Sequence, residues 1–302
     1  MIADDENERS QTAAARGEVH VYERDGLTLA MRVHGALDGA KIPLVCLPGL
    51  TRNSRDFDGF AQAMRARDPG RCLIAFDYRG RGLSDAAPAP AAYNAAEEAR
   101  DVLAGLDHLN IERVDLIGTS RGVIVTHLIG AMAGPRIGRI VFNDAGPRIE
   151  SAGLLEIRDY LRAAQDHPDW TSATDAVEAL FAPSFPALER ADFERQARAL
   201  FIERDGVLVS DYDPTLLETL DGLSPDLPLP ELWDLFDHLL DKPLLVLRGE
   251  HSGILSKSTV EEMARRHPDL TAHTVPGQGH APFLETSGLP DRISDFLDAD
   301  RP

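Results

Sequence analysis

The sequence predicts an α/β fold: an eight-stranded, mostly parallel sheet with helices on both faces and a helical insert after the sixth strand. Three observations predict it. Short apolar runs alternate with segments of 3.6-residue periodicity along most of the chain, the signature of β–α–β crossovers. Between about residues 146 and 236 the alternation stops, and helical patterns with proline joints follow one another instead. At 302 residues and 43% hydrophobic content, the chain can bury one large core.

The elements follow in order. Residues 1–17 are polar and charged and lack the basic end and apolar centre of a signal peptide, so a floppy arm on a cytoplasmic protein is expected. Val19 to Glu23 and Leu27 to His34 read as an antiparallel pair, because Asp25-Gly26 between them is a strong hairpin signal. Pro43 to Leu47 is a buried strand. Phe57, Phe60, Ala61 and Met64 then fall on one face of a helix. Cys72 to Phe76 is the next strand. Asn94, with Glu97 three residues on, has the form of a capping box that opens a helix to about Leu109. Val114 to Gly118 is a strand, Val123 to Met132 a helix stopped by Gly134-Pro135, and Ile140 to Asn143 a strand. This β–α–β–α–β series requires right-handed crossovers and parallel strands. Pro243 to Arg248 and Leu270 to Val275 supply the last two strands, with Val260 to Arg266 a helix between them. Asp291 to Leu297 closes the chain as a helix. The expected division is an arm over 1–17, a core over 18–145 and 237–302, and an insert over 146–236.

Within the insert, helices are expected at Leu154 to Ala164, Ala173 to Phe181, Leu188 to Phe201 and Pro230 to Leu240. Nine of the 18 aromatic residues fall here: Tyr160, Trp170, Phe181, Phe185, Phe193, Phe201, Tyr212, Trp233 and Phe236. An insert of this size cannot bury that many rings within itself. It should lie over the carboxyl edge of the sheet, with a minority of the rings making a predominantly apolar pocket.

Composition excludes several classes. A formal net charge of −19 argues against nucleic acid and anionic membrane partners, both of which an acidic chain repels. No apolar stretch approaches the ~18 residues of a spanning helix. Cys46 and Cys72 sit in apolar runs and lack the spacing of a metal site, so both are expected to be reduced, buried small hydrophobes.

Two local motifs carry chemistry. Gly118-Thr119-Ser120-Arg121-Gly122 joins a strand to a helix, the arrangement of a nucleophile elbow. The chain turns so sharply at Ser120 that bulky neighbours would collide, hence glycine two positions away on either side. The turn also aims the hydroxyl at a helix start, where free N–H groups favour negative charge. Far downstream, Pro276-Gly277-Gln278-Gly279-His280-Ala281-Pro282 follows a strand as a tight loop. A serine hydroxyl needs a neutral imidazole to take its proton at neutral pH, and His280 is the candidate base.

With these residues in view, the chain resembles the α/β-hydrolase superfamily from about Glu18 to Leu297. Four segments carry the resemblance: Leu47-Pro48-Gly49-Leu50, the run Asp77-Tyr78-Arg79-Gly80-Arg81-Gly82-Leu83-Ser84-Asp85, the elbow, and Gly277 to His280. The resemblance implies that the insert is a cap roofing the pocket, and that the backbone N–H groups of Leu50 and Arg121 form an oxyanion hole. It also implies that the segment Asp77 to Ser84 is architectural. A third member, an acid, is expected within Gly-x-x-Asp or Gly-x-x-x-Asp after the strand that follows the cap. Here those positions hold Ser252 and Gly253. A branch of the family places the acid at the end of the strand before the cap, and the matching residue is Asp144. Glu250 is the rival in the usual region.

The chemistry so implied is two-step acyl transfer on a small-molecule carbonyl substrate, with no metal or organic cofactor. Serine rather than aspartate at the elbow argues against haloalkane dehalogenase and epoxide hydrolase chemistry. An esterase or lactonase is the leading expectation. A carbon–carbon bond hydrolase of the meta-cleavage diketone type and a catalytically silent ligand-binding scaffold are the alternatives. The guanidinium of Arg121 is open to three roles: binding a substrate carboxylate, standing solvated, or pairing with a nearby acid as a structural contact.

Overall fold

The structure, a computed structural model, describes residues 17–38, 41–224 and 229–299. The arm expected over 1–17 lies, Gly17 apart, outside them. β1 (Glu18–Arg24) and β2 (Leu27–His34) form a hairpin, followed by β3 (Leu44–Leu47), α1 (Asp58–Arg67), β4 (Leu73–Asp77) and α2 (Ala95–His108). Next come β5 (Val114–Thr119), α3 (Arg121–Ala133) and β6 (Ile137–Asn143). The insert contains α4 (Ser151–Arg162), α5 (Trp170–Phe181), α6 (Arg190–Leu200), β7 (Phe201–Arg204), β8 (Val207–Ser210) and α7 (Trp233–Phe236). The core resumes with β9 (Leu244–Gly249), α8 (Lys257–Arg266), β10 (Leu270–Val275) and α9 (Leu289–Asp298).

Eight strands form one sheet in the order β1-β2-β4-β3-β5-β6-β9-β10. Its first two pairings, β1 with β2 and β2 with β4, are antiparallel, and the rest are parallel. Both faces are covered, so the central strands are apolar throughout rather than alternating. In β3, Val45 and Leu47 join one core cluster while Leu44 and Cys46 join the other. α2, α3 and α8 cover the first face through residues such as Val102, Ile129 and Met263. α1 and α9 cover the second through Phe60, Met64, Ile293 and Leu297. Each such buried side chain contributes about 1.5–3 kcal/mol. Cys46 and Cys72 are both buried and free. Among the described residues, no helix is long and apolar enough to cross a membrane.

Several expectations need correction. The insert is not all helical: the helix expected to run to Phe201 ends at Leu200, and β7 and β8 form an antiparallel hairpin from Phe201 to Ser210. Its turn is Asp205-Gly206, with φ of 51° and 81°, the same dipeptide and geometry as Asp25-Gly26 at 53° and 78°. The helix expected over Pro230 to Leu240 shrinks to Trp233–Phe236 and a 3-10 turn at Asp237–Leu239, because the Leu232 N–H donates to the Pro147 carbonyl instead. Trp233 and Phe236 pack into the main core rather than with the other rings of the insert. β6 starts three residues early, at Ile137, which pairs with Val114 across a register shift. The Asn94 side chain does cap α2 by accepting from the Glu97 N–H at 3.0 Å. The Glu97 carboxylate, however, pairs with Arg24 at 2.8 Å rather than closing the box.

Candidate active site

Ser120 lies between β5 and α3 with φ 53° and ψ −110°. The flanking glycines are sterically required. A Cβ on Gly118 would stand 2.5 Å from the Gly122 carbonyl oxygen, and one on Gly122 would stand 2.1 Å from that of Leu47. Strand β3, the elbow and α3 therefore meet backbone to backbone, which only glycine permits. The Ser120 N–H donates to the Asn143 carbonyl at 3.0 Å, tying the elbow to the end of β6.

The loop after β10 brings His280 to this turn. Its Nε2 stands 2.8 Å from Ser120 Oγ, and its Nδ1 stands 2.8 Å from Asp144 Oδ2. Asp144 is fully buried. Its Oδ1 accepts the Gly249 N–H at 2.8 Å, and its own N–H donates to the Leu247 carbonyl at 2.9 Å. A carboxylate so held favours a proton on Nδ1 and leaves Nε2 free to accept from Ser120. Glu250 stands elsewhere, at an exposed turn where it accepts the Gly277 N–H at 2.8 Å. Gly279 serves a tight approach: a Cβ there would stand 2.9 Å from Ser184 of the insert.

Residues not singled out from sequence hold the loop in place. Asn143 Nδ2 donates to the Pro282 carbonyl at 3.0 Å. Buried Gln278 accepts the Phe283 N–H at 2.8 Å and donates to Thr286 and Ser287. No spacing rule flags either residue; each acts only through partners the fold supplies.

Gly49 and Leu50 line the same cavity as Ser120, and the Leu50 N–H finds no acceptor among the described residues. Arg121 opens α3, where the first amides have no intrahelical acceptor. Its guanidinium turns away from the cavity and donates to Glu98 at 2.8 Å, so the structural role stands and the carboxylate-binding one does not. Glu98 is fully buried and also accepts from Arg81 at 2.9 Å, while Arg81 Nε donates to the Leu50 carbonyl at 2.8 Å. Burial alone would raise the Glu98 pKa, but the Arg121 and Arg81 charges outweigh it and hold the carboxyl below its usual range. One Arg–Glu–Arg unit, buried at Glu98 and Arg81 and part-buried at Arg121, thus ties together the two residues expected to face an oxyanion. The run Asp77 to Ser84 is architectural: the Asp77 carboxylate accepts the Ser54 N–H at 2.6 Å and the Leu83 N–H at 3.0 Å.

A cavity of about 130 Å³ lies over Ser120, lined from the core by Leu50, Thr51 and His280 and from the insert by Ile157, Tyr160 and Phe181. Of the nine rings, Tyr160 and Phe181 face it. Phe185, Phe193 and Phe201 pack with one another and with Phe283 of the His280 loop. The cavity is less apolar than expected, because Arg52, Asp56, Gln196 and Glu285 also line it. Arg52 makes a two-pronged pair with Asp56 at 2.6 and 2.5 Å. Burial raises the pKa of Glu285, with the Arg195 charge opposing. Among the described residues, no group of three His, Cys, Asp or Glu side chains is placed to hold a metal ion.

Comparison with known proteins gives the family and the fold. A family model described as alpha/beta hydrolase fold matches residues 42–287. A 3-hydroxybutyrate-oligomer hydrolase of Cupriavidus necator is 28% identical over 250 residues, 79% of this chain and 82% of that protein. A 2-(acetamidomethylene)succinate hydrolase of Mesorhizobium japonicum is 28% identical over 233 residues, 77% of this chain and 79% of that one. The crystal structure of an alpha/beta hydrolase from Novosphingobium aromaticivorans superposes with a TM-score of 0.84 at 35% identity, covering 93% of this chain and 98% of that one.

Proposed function

The chain belongs to the alpha/beta hydrolase family, and from that premise we propose that it is a serine hydrolase cleaving a small carboxylic ester or lactone through an acyl-enzyme on Ser120. The observation that carries this reading is the unbroken chain of two 2.8 Å contacts from Ser120 Oγ through the His280 ring to Asp144. His280 Nε2 takes the hydroxyl proton as Oγ attacks the carbonyl carbon. The oxyanion that forms is held by the N–H groups of Leu50 and Arg121, at about 3–4 kcal/mol per donor. As the intermediate collapses, His280 returns the proton to the leaving alkoxide, which departs as the alcohol. Water, deprotonated by the same nitrogen, then attacks the acyl-enzyme and releases the acid and free Ser120. Asp144 keeps its contact with Nδ1 and stabilises the imidazolium. The segment between β6 and β9 acts as a cap over the substrate.

The name of the Cupriavidus necator relative points toward esters, because an oligomer of a hydroxy acid is joined by ester bonds. A fluorophosphonate should label Ser120 stoichiometrically, and Ser120→Ala and His280→Ala should abolish both labelling and hydrolysis of p-nitrophenyl butyrate. Folded wild-type protein that takes no label would favour the silent scaffold. Turnover of a vinylogous diketone with none of the ester would favour the carbon–carbon hydrolase.

A further inference from the structure

Two further hollows adjoin the cavity over Ser120. They part at an edge-to-face pair of rings, Tyr160 on α4 and Phe181 on α5, with centroids 6.1 Å apart; both rings line all three spaces. The first hollow, about 310 Å³, is reached past Thr51 and Arg52 and walled chiefly by Leu161, Ala164, Ala176, Val177 and Phe201. The second, about 290 Å³, is reached past His280 and bordered by Gly153, Glu156, Ser184 and His251. Ala164 and Ala176 in the first hollow are exposed, as are Glu156 and His251 in the second. Each hollow therefore shares walls with the Ser120 cavity on one side and borders solvent on the other.

Acyl transfer at Ser120 dictates which half of an ester enters which hollow. The carbonyl oxygen must face the Leu50 and Arg121 amides, and the leaving oxygen must lie where His280 Nε2 can protonate it. The leaving group is thus directed to the His280 side and the acyl chain to the Thr51 side. We propose that the hollow between α4 and α5 is an acyl site for linear aliphatic chains of about six to ten carbons, and that the His280 hollow receives the alcohol. The size follows by comparison: 310 Å³ is about twice the ~150 Å³ of an apolar cavity that holds one six-carbon benzene. The walls supply the selectivity, since each methylene moved from water onto apolar surface favours binding by roughly fourfold. This assignment rests on the acyl-enzyme reading and deepens it.

Two ester series test it: p-nitrophenyl esters from acetate to dodecanoate vary the acyl chain, and acetates from methyl to octyl vary the alcohol. In the wild type, kcat/KM should rise from acetate to an optimum between hexanoate and decanoate. Ala176→Trp, or Ala164→Trp as a second variant, should lower the octanoate-to-acetate ratio of kcat/KM at least tenfold and leave the alcohol profile's shape as in the wild type. Glu156→Trp should do the reverse. All three positions are exposed, and a melting curve verifies that each variant folds. An Ala176→Trp effect confined to the alcohol series reverses the assignment, and tryptophans that change neither series overturn it. A wild type that is labelled at Ser120 but gains nothing from longer acyl chains removes the acyl site and leaves the acyl-enzyme standing. A wild type neither labelled nor active removes both.

Discussion

Ser120 and Asp144 are both non-glycine residues with positive φ, 53° and 61°, a conformation that costs roughly 1–2 kcal/mol because Cβ crowds the following carbonyl. Each gains a fixed direction in return. Ser120 is lifted clear of the sheet, and Asp144 reaches sideways from β6 to the Gly249 N–H on β9 and to His280 Nδ1. Asp144→Asn should keep this shape but present the wrong hydrogen-bonding pattern to the ring. Its kcat for p-nitrophenyl butyrate is expected to fall about 10³- to 10⁴-fold. Glu250→Gln should stay close to the wild type, because its side chain serves the Gly277 turn and stands near His251 rather than His280. Near-full activity in Asp144→Asn with a large loss in Glu250→Gln would transfer the acid's role to Glu250.

At the scale of elements, glycine is demanded for two different reasons. Gly206 needs positive φ at the β7–β8 turn, and a Cβ there would meet nothing within 4 Å. Gly206→Ala should therefore lower stability by only about 1 kcal/mol, the backbone term alone. Gly122 is required by space: α3 rests on the Leu47 carbonyl, and Gly122→Ala should cost several times more or prevent folding. Urea midpoints of the two variants measure the difference, and equal losses would contradict the close-approach argument. The two Asp-Gly hairpins also mark how far local reading reaches. Asp25-Gly26 is recognisable because alternating strand patterns flank it. Asp205-Gly206 is separated from α6 only by the short strand Phe201–Arg204; the apolar spacing of the helix carries through Phe201, and that run hides the same signal.

For the molecule as a whole, one buried histidine couples the main core to pH. His127 on α3 is fully buried between the rings of Phe142 and Phe236, 5.0 and 6.0 Å away, and its Nδ1 bonds the Val123 carbonyl at 2.7 Å. Burial pushes its pKa from 6.5 down to about 4. The folded protein keeps the ring neutral between these values, whereas the unfolded chain takes up a proton below 6.5. Stability should therefore fall as pH drops from about 6.5 to about 4, with His127 contributing up to ~3 kcal/mol of the loss. His34, pushed to about 4 chiefly by burial, adds to the slope in the same direction. Denaturant unfolding of His127→Phe between pH 4 and 7.5 isolates the first contribution: the variant should lose less stability than the wild type toward pH 4. Parallel curves for the two proteins would rule it out.

The order of strands and helices, the elbow at Ser120 and the loop carrying His280 were readable along the chain because each depends on residues a few positions apart. Periodicity, glycine placement and turn dipeptides are local constraints, and local constraints are written in sequence. The choice between Asp144 and Glu250 was not, since either acid ends a parallel strand and only the pairing of β6 with β9 (Asn143 against Leu247) brings one of them to the ring. The docking of the insert was hidden for the same reason. Phe185 meets Phe283 and Ser184 presses on Gly279 across about a hundred residues of chain, and contacts of that span leave no periodic trace. They exist only once the folded sheet has set where its loops can meet.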